Sequence, residues 1–441
     1  MAKFHEKNQA VFIGLQTGSG GKSSDSSWHA VLTSDLPSTT AVACTSVTGD
    51  PTRETGSYAY LGDSLSRDEY TFEKDKYIDL QLDTFQTVLA TMGVTAGNSD
   101  GQGGNTSYTV NKEALFKLFQ VCGGACFAND IGNTITVTNA SDSPDYATVD
   151  YRKSTPDDST NDKLYKFWDL RGSVDVTASV GEVPSLKFSL KGNAVDPTPV
   201  PKQPANFGTQ TTRVANSVLP STIKKTLILE IDPADAMNVA TAAVTTMTWA
   251  YSQVTVVLAA THGFEAGDIA RIRVAGANLS TANGDFIAYC TGTHTLTYHV
   301  KGQGNSVSNS GTITGATITK SVKTSTTFCF STLTAPNFFG FDYQRYTTGC
   351  DQGFAKGGVP TDVTVSMLED QANAPGVFLP DVNTAKFFAV VLKFGGASNG
   401  TTIAYMWDKL QLANVKQGKI ASYLARDCSF RNTGNSYIIY E

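Results

Sequence analysis

From Phe72 to Phe85 the chain alternates. Even positions carry Phe72, Ile78, Leu80 and Leu82; odd positions carry Glu73, Asp75, Tyr77, Asp79, Gln81 and Asp83. Successive side chains of an extended chain point to opposite faces, so this rhythm separates an aliphatic face from a face bearing four carboxylates. Lys74 and Lys76 interrupt the apolar face near its start, and the alternation is clean from Tyr77 on. The pattern predicts a long strand. A second alternating stretch runs from Leu170 to Leu190. Val174, Val176, Ala178 and Val180 lead out, Gly181-Glu182 lies at the turn, and Leu186, Phe188 and Leu190 lead back. This predicts a hairpin whose two arms cover a core with one apolar face.

Elsewhere short runs rich in Val, Thr, Ile, Tyr and Phe recur between Gly, Asn, Asp and Pro, which predicts a mainly β fold. One helix stands out. Asn111 is placed to cap it, Glu113 sits in its first turn, and Leu115, Leu118, Phe119 and Cys122 form its stripe before Gly123-Gly124 stops it. Asp362 to Gln371 fits a weaker helix or, through Val363 and Val365, a strand. Val195 to Asn206 is proline-rich and reads as an extended linker or an arm lying on a neighbour. The segment Asp235 to Val322, rich in Thr, Val, Ala and Gly with turns at His262-Gly263 and Asn283-Gly284, reads as a small inserted β-sandwich. The expected organisation is a first part over residues 1–234, the insert over 235–322 and a C-terminal part over 323–441.

Composition narrows the function. Charged residues make up 17 % of the 441 residues, below the roughly 25 % of an ordinary soluble domain. A surface of neutral polar residues suits strands and protein–protein contact. The net charge of −6 argues against a surface made to grip nucleic acid, which needs Lys and Arg to displace counterions. The seven cysteines, Cys44, Cys122, Cys126, Cys290, Cys329, Cys350 and Cys428, are odd in number and sparse, and read as reduced, mostly buried thiols. Cys122 and Cys126 bracket Gly-Gly-Ala and do not form a redox or zinc pair. The start lacks the apolar segment of a signal peptide, and the longest apolar run, Phe387 to Leu392, is too short to span a membrane.

Catalytic constellations are missing from the sequence. Gly18 to Ser23 (Gly-Ser-Gly-Gly-Lys-Ser) lacks the leading glycine of a phosphate-binding loop, because Gln16 stands there, and reads as a flexible N-terminal loop. His5, His29, His262, His294 and His299 show no metal-ligand spacing; His294 and His299 fall on a predicted strand at odd separation and so on opposite faces. Nothing resembles a nucleophile turn. No catalytic, cofactor or metal site is expected, and the chain does not read as an enzyme. The acidic strand face remains, either as a solvated face or as a functional electrostatic lining.

The order of segments resembles the major tail tube proteins of long-tailed bacteriophages. Tyr60-Leu61-Gly62 before the strand Tyr70 to Phe85 looks like the loop preceding the main tube hairpin. Ala114 to Cys122 resembles the single helix between the two halves of the sheet, and Asn133 to Lys153 the strand pair that follows. The most specific match is Leu170-Arg171-Gly172-Ser173-Val174 with Gly181-Glu182-Val183-Pro184-Ser185-Leu186-Lys187-Phe188, a hairpin of the form G-x-V … GE-x-P-x-L-x-F-x-x-x-G. In the insert, Thr261-His262-Gly263-Phe264, Gly267-Asp268 and Asn283-Gly284-Asp285-Phe286 look like a small, Ig-like β module common in phage virion proteins.

The resemblance implies a tail-tube-type β-sandwich or barrel with long hairpins and one short helix. It implies hexameric rings, stacked in the virion's tail after assembly in the bacterial cytoplasm, that contact tape-measure, terminator and distal-tail or baseplate proteins and let double-stranded DNA through without specific binding. Glu73, Asp75, Asp79 and Asp83 would line the channel, repelling phosphates. Ile78, Leu80 and Leu82 would pack on the hairpin of Val174, Val176, Leu186 and Phe188. The N-terminus, the Tyr60–Arg67 loop and the proline arm are candidates for ring-to-ring contact. Two alternatives share this composition: another virion component such as a capsid decoration or tail-hub protein, and a carbohydrate- or receptor-binding protein acting through Trp249, Tyr251, Phe286, Tyr289 and Tyr298 of the insert.

Overall fold

The computed structural model describes residues 9–15, 40–42, 44–49, 52–61, 67–86, 114–129, 134–139, 146–153, 161–194, 198–201, 228–233, 241–250, 253–261, 269–290, 292–299, 310–320, 326–340, 342–347, 352–357, 362–368, 387–395 and 402–440. They are mainly β with one α-helix. A first run holds β1 (Gln9–Leu15), β2 (Thr40–Ala41), β3 (Ser46–Thr48), β4 (Thr52–Leu61), β5 (Arg67–Phe85), α1 (Ala114–Val121), β6 (Gly124–Asn129), β7 (Thr134–Asn139), β8 (Ala147–Lys153), β9 (Asn161–Ser179), β10 (Ser185–Ala194) and β11 (Thr198–Pro201). After β12 (Ile228–Pro233) come β13 (Thr241–Ala242), β14 (Val244–Ala250), β15 (Gln253–Leu258), β16 (Ile269–Ala275), β17 (Gly284–Cys290), β18 (Thr295–His299), β19 (Ser310–Thr312) and β20 (Thr317–Lys320). The chain closes with β21 (Thr326–Phe328), β22 (Phe330–Gly340), β23 (Asp342–Thr347), β24 (Gln352–Gly357), β25 (Asp362–Leu368), β26 (Phe387–Gly395), β27 (Thr402–Ile420), β28 (Tyr423–Asn432) and β29 (Ser436–Tyr440).

The large sheet is antiparallel throughout its central path. Its neighbours run β3 and β4 beside β5, then β10, β9, β22, β25, β28 and β27. One face of this path is apolar. Ile78, Leu80 and Leu82 of β5 are buried with Leu186, Phe188 and Leu190 of β10 and Val174, Val176 and Ala178 of β9. Leu333, Val363, Val365, Cys428 and Phe430 continue the same core from the later strands. Phe119 of α1 packs its ring 5.8 Å from both Phe188 and Phe339, so the helix is the plug against which the two halves of the sheet close.

Ile78, Leu80 and Leu82 meet the hairpin side by side, in one buried cluster. β5 lies beside β10 in the same sheet, with Phe188 opposite Leu82 and Leu190 opposite Leu80. The apolar faces of β5 and the hairpin are therefore one continuous surface, and what covers them is α1 and the remaining core. The helix also buries more than the predicted stripe. Ala114, Phe116, Leu118, Phe119, Val121 and Cys122 are buried while Leu115 is half-buried, because core lies on more than one side of it. Gly123, with φ of 83°, ends it in the left-handed conformation. Asn111 and Glu113 lie outside the described residues. Segment 362–368 resolves as strand β25, since Val363, Val365 and Met367 are buried at a spacing of two.

Two further strand readings shift. β7 and β8 both exist, but β7 pairs with β6 and β29 whereas β8 pairs with β1 and β9. Part of the proline segment is β11, an edge strand on this chain's own β9, where missing amide donors do no harm to the sheet's outer side. The insert forms one eight-stranded antiparallel sheet, β13-β20-β16-β17-β18-β15-β14-β19, with its own buried cluster around Val254, Val256, Ile272, Leu296 and Tyr298. Residues from β14 to β18 and from β20 share that cluster, so the hydrogen-bonded sheet folds around a core of its own.

The ladders repeat. In the first run β1 pairs β2 and β8, β8 pairs β9, β9 pairs β10 and β11, and β10 pairs β5, which pairs β3. From residue 228 on, β12 pairs β21 and β26, β26 pairs β27, β27 pairs β28 and β29, and β28 pairs β25, which pairs β22. Eight strands of the first run and eight from residue 228 on thus carry the same ladders in the same chain order, while the β4–β5 and β6–β7 hairpins of the first run have no counterpart. Even the irregularity is shared: the β8–β9 ladder slips between Leu170 and Phe167, and the β26–β27 ladder between Leu410 and Trp407. All four residues are buried.

Candidate functional site: the polar face of the sheet

Opposite the core, the central path of the sheet shows a second face that carries almost only polar groups. One row of cross-strand neighbours crosses seven strands: Phe85, Ser185, Thr177, Thr334, Thr364, Ser429 and Asn414. Thr334 and Thr364 hydroxyls hydrogen-bond across the ladder. Such a row is hydrogen-bonded, uncharged and smooth. Phe85 is its one large apolar member and is 39 % exposed.

The predicted lining residues divide. Asp79 is exposed and Asp83 half-buried, both on this face, opposite in parity to Ile78, Leu80 and Leu82. The side chains of Glu73 and Asp75 lie outside the described residues. Backbone register shifts between Glu54 opposite Asp75 and Thr55 opposite Glu73, so the parity count from Asp79 reaches Asp75 and breaks before Glu73.

The face is charge-balanced, which the sequence reading missed. Register sets Lys187 of β10 between Asp83 and Asp175, and Lys191 between Asp79 and Arg171. Further along, Arg431 lies opposite Asp362, with Nε 3.6 Å from Oδ1, and Lys416 lies opposite Asp427. Opposite charges at directly facing positions contribute about 0.2–1 kcal/mol each. These described positions hold five carboxylates and five cations, Arg171 facing Lys191 rather than a carboxylate, and no acidic stripe results. Parity within Leu186–Leu190 already put Lys187 on the polar side; only the β5–β10 pairing, a contact between distant segments, put it beside Asp83.

Hydroxyl and backbone donors add to this holding. Ser46 donates to Asp83, Ser366 donates to Asp427, and the Asn337 amide donates to Asp175 Oδ1 at 2.7 Å. At the β9–β10 turn a shallow hollow of about 480 Å³ is lined by Phe85, Thr177, Ser179, Glu182, Val183 and Ser185. Its lining holds no nucleophile–base pair. Among the described residues no group of His, Cys, Asp and Glu converges as a metal site, and no helix is long and apolar enough to cross a membrane.

Two hairpin motif glycines have a mechanical reason. A Cβ on Gly172 would meet the Ser189 carbonyl oxygen at 1.8 Å, so only glycine lets β9 approach β10 there. Gly181 turns the hairpin with φ of 88°. Cys122 and Cys428 are buried, and burial raises both thiols, Cys428 to about 12, while Cys329 is exposed. Cys126 and Cys350 are not among the described side chains.

Of the other predicted contact regions, Tyr60–Leu61 and Arg67 are themselves hairpin strands, Leu61 facing Arg67, which leaves residues 62–66 as the connection outside the described residues. The Gly18–Ser23 segment, His5, His29 and His262 also lie outside them. In the insert, His294 precedes β18 and its Nδ1 is 3.0 Å from Thr293 Oγ1. Tyr298 is buried, donates to the Ala282 carbonyl at 3.0 Å and stacks 4.5 Å from Phe286, so these two aromatics fill core. Trp249 packs against that cluster, and the side chains of Tyr251, Tyr289 and His299 lie outside the described residues.

No protein-family model matches the chain, and no curated protein is significantly similar to it.

Proposed function

We propose that this chain is a structural subunit of a phage tail tube, assembling into stacked rings whose channel passes double-stranded DNA. The reading rests on one observation above all: seven successive strands share one apolar and one polar face, and the outer strands carry edges that no described residue covers. The β27 segment 412–420 pairs only with β28, and β3 pairs only with β5. Uncovered edges on a long sheet favour association, and ring closure removes them.

The polar face suits a bore by a different route from the one the acidic pattern implied. Four of its five named cations stand opposite carboxylates, Arg171 facing Lys191 instead; those four are poor anchors for phosphate, and binding by counterion release needs cations freed for that purpose. Hydroxyl rows between the charges carry no cation and so add no counterion release. The chain then acts as a conduit and carries out no chemistry. Negative-stain microscopy of the purified protein tests this: rings or tubes with a central channel are expected, and a monomer at high concentration across salt conditions would refute it.

A further inference from the structure

We infer that the chain is two tandem copies of one β unit, and that chains join edge to edge through the same ladder that joins the two units within a chain. The unit duplication stands on the ladders alone; ring closure rests on the tube reading above.

The internal joint is the pairing of β9 with β22. Ser179 faces Thr332, Ala178 faces Leu333, and Thr177 faces Thr334. β9 is the last strand of the first unit in the sheet path, and β22 the first strand of the second. Their counterparts are β27 and β3. By matching ladders, β27 takes the place of β9, since Val415 faces Cys428 as Val174 faces Phe188. β3 takes the place of β22, since Val47 faces Leu82 as Leu333 faces Val365. Apart from the β4–β5 and β6–β7 hairpins and the β7–β29 pairing, which have no counterpart, every other ladder of the first unit has its partner in the second. Among the strands the two units share, the β9–β22 joint is used once within the chain, and its second instance needs a second copy.

The equivalence sets the register. Ile420 of one chain falls opposite Ser46 of the next, Lys419 opposite Val47, and Gly418 opposite Thr48. Exposure agrees with a joint left open. Val176 and Ala178 are buried in β9, whereas their counterparts Gln417 and Lys419 are exposed in β27. Tyr423 and Leu424, beside this edge, are 68 % and 50 % exposed and rank among the exposed large apolar residues. Lysine on an edge strand is a known guard against premature pairing, which fits an edge that waits for its partner. A ring of n chains then presents twice n near-equivalent units around its bore. The six-unit ring implied by the resemblance closes with three chains.

The test is a cysteine pair. In one chain, residues 46 and 420 sit at opposite margins of eight strands, roughly 34 Å apart at the inter-strand spacing, so they cannot bridge internally. The double variant Ser46→Cys with Ile420→Cys, oxidised, is expected to give covalent multimers on non-reducing gels, and a mixture of the two single variants to give dimers only. Ser179→Cys with Thr332→Cys serves as the geometric control and is expected to bridge within a chain. Native mass spectrometry counts chains per ring, with three expected. Rings visible by microscopy without any 46–420 bridge, while the control bridges, would overturn the edge assignment and leave the ring reading standing. Six chains per ring would overturn closure by three chains. A protein that never associates would overturn both.

Discussion

Asp175 Oδ1 accepts a hydrogen bond from the backbone amide of Asn337 at 2.7 Å, across 162 positions of sequence. Asn337 sits at φ of 48°, in the irregular stretch of β22 where its ladder with β9 slips between Ala335 and Phe339. The carboxylate thus satisfies a donor that the slipped ladder cannot, at the seam between the two halves of the sheet.

Replacing Asp175 with Ala is expected to lower stability by about 1.5–3 kcal/mol, the range for a hydrogen bond to a charged group. Urea unfolding followed by tryptophan fluorescence checks it through the midpoint. Asp175→Asn, which keeps an acceptor, is expected to recover part of the loss.

Gly172→Ala puts a methyl group where the Ser189 carbonyl oxygen lies only 1.8 Å away. The hairpin must open to admit it, so loss of soluble folded protein is expected. Gly181→Ala meets nothing within 4 Å but keeps φ of 88°. It is expected to cost only about 1–2 kcal/mol. Expression yield and thermal melts of the two variants compare the effects.

Phe119→Ala removes the ring that touches both Phe188 and Phe339. The expected loss is about 3–5 kcal/mol, from transfer energy and the cavity left behind. Because that ring bridges the two halves of the sheet, calorimetry is expected to show one lowered transition.

Buried thiols set an alkaline limit. The folded state holds Cys122 and Cys428 protonated above the ordinary thiol value of 9.0 because burial disfavours the thiolate. Unfolded chains release those protons first as pH rises past 9, so the stability from the raised values is whole below that pH and declines above it. Iodoacetamide at pH 8 is expected to modify exposed Cys329 quickly and to reach Cys122 and Cys428 only in denaturant.

Lys187→Asp would set three carboxylates in one cross-strand row with Asp83 and Asp175. Like charges directly opposite destabilise by roughly 0.2–1 kcal/mol apiece. The loss is expected to shrink in high salt, and melts at low and high ionic strength measure it.

Alternation made β5, β9 and β10 readable, because a half-buried strand writes its two faces into odd and even positions. It gave Ile78, Leu80 and Leu82 without any knowledge of their neighbours. Phe116 escaped the helix stripe because α1 is buried on more than one side, where amphipathic spacing fails. β11 was hidden by its prolines, which an edge strand tolerates. The charge balance of the face and the repeated ladders were beyond reach for a shared reason. Both depend on which strands lie side by side, and pairings such as Asp83 with Lys187 join segments about a hundred positions apart in a way that no local pattern records.

The decisive measurement is a map of the assembled protein at a resolution that separates strands. The account predicts a central bore with Asp79, Lys187, Thr334 and Asp427 turned toward it and Phe119 buried behind the wall. A map with those residues on the outer surface, or an assembly without a bore, would contradict it.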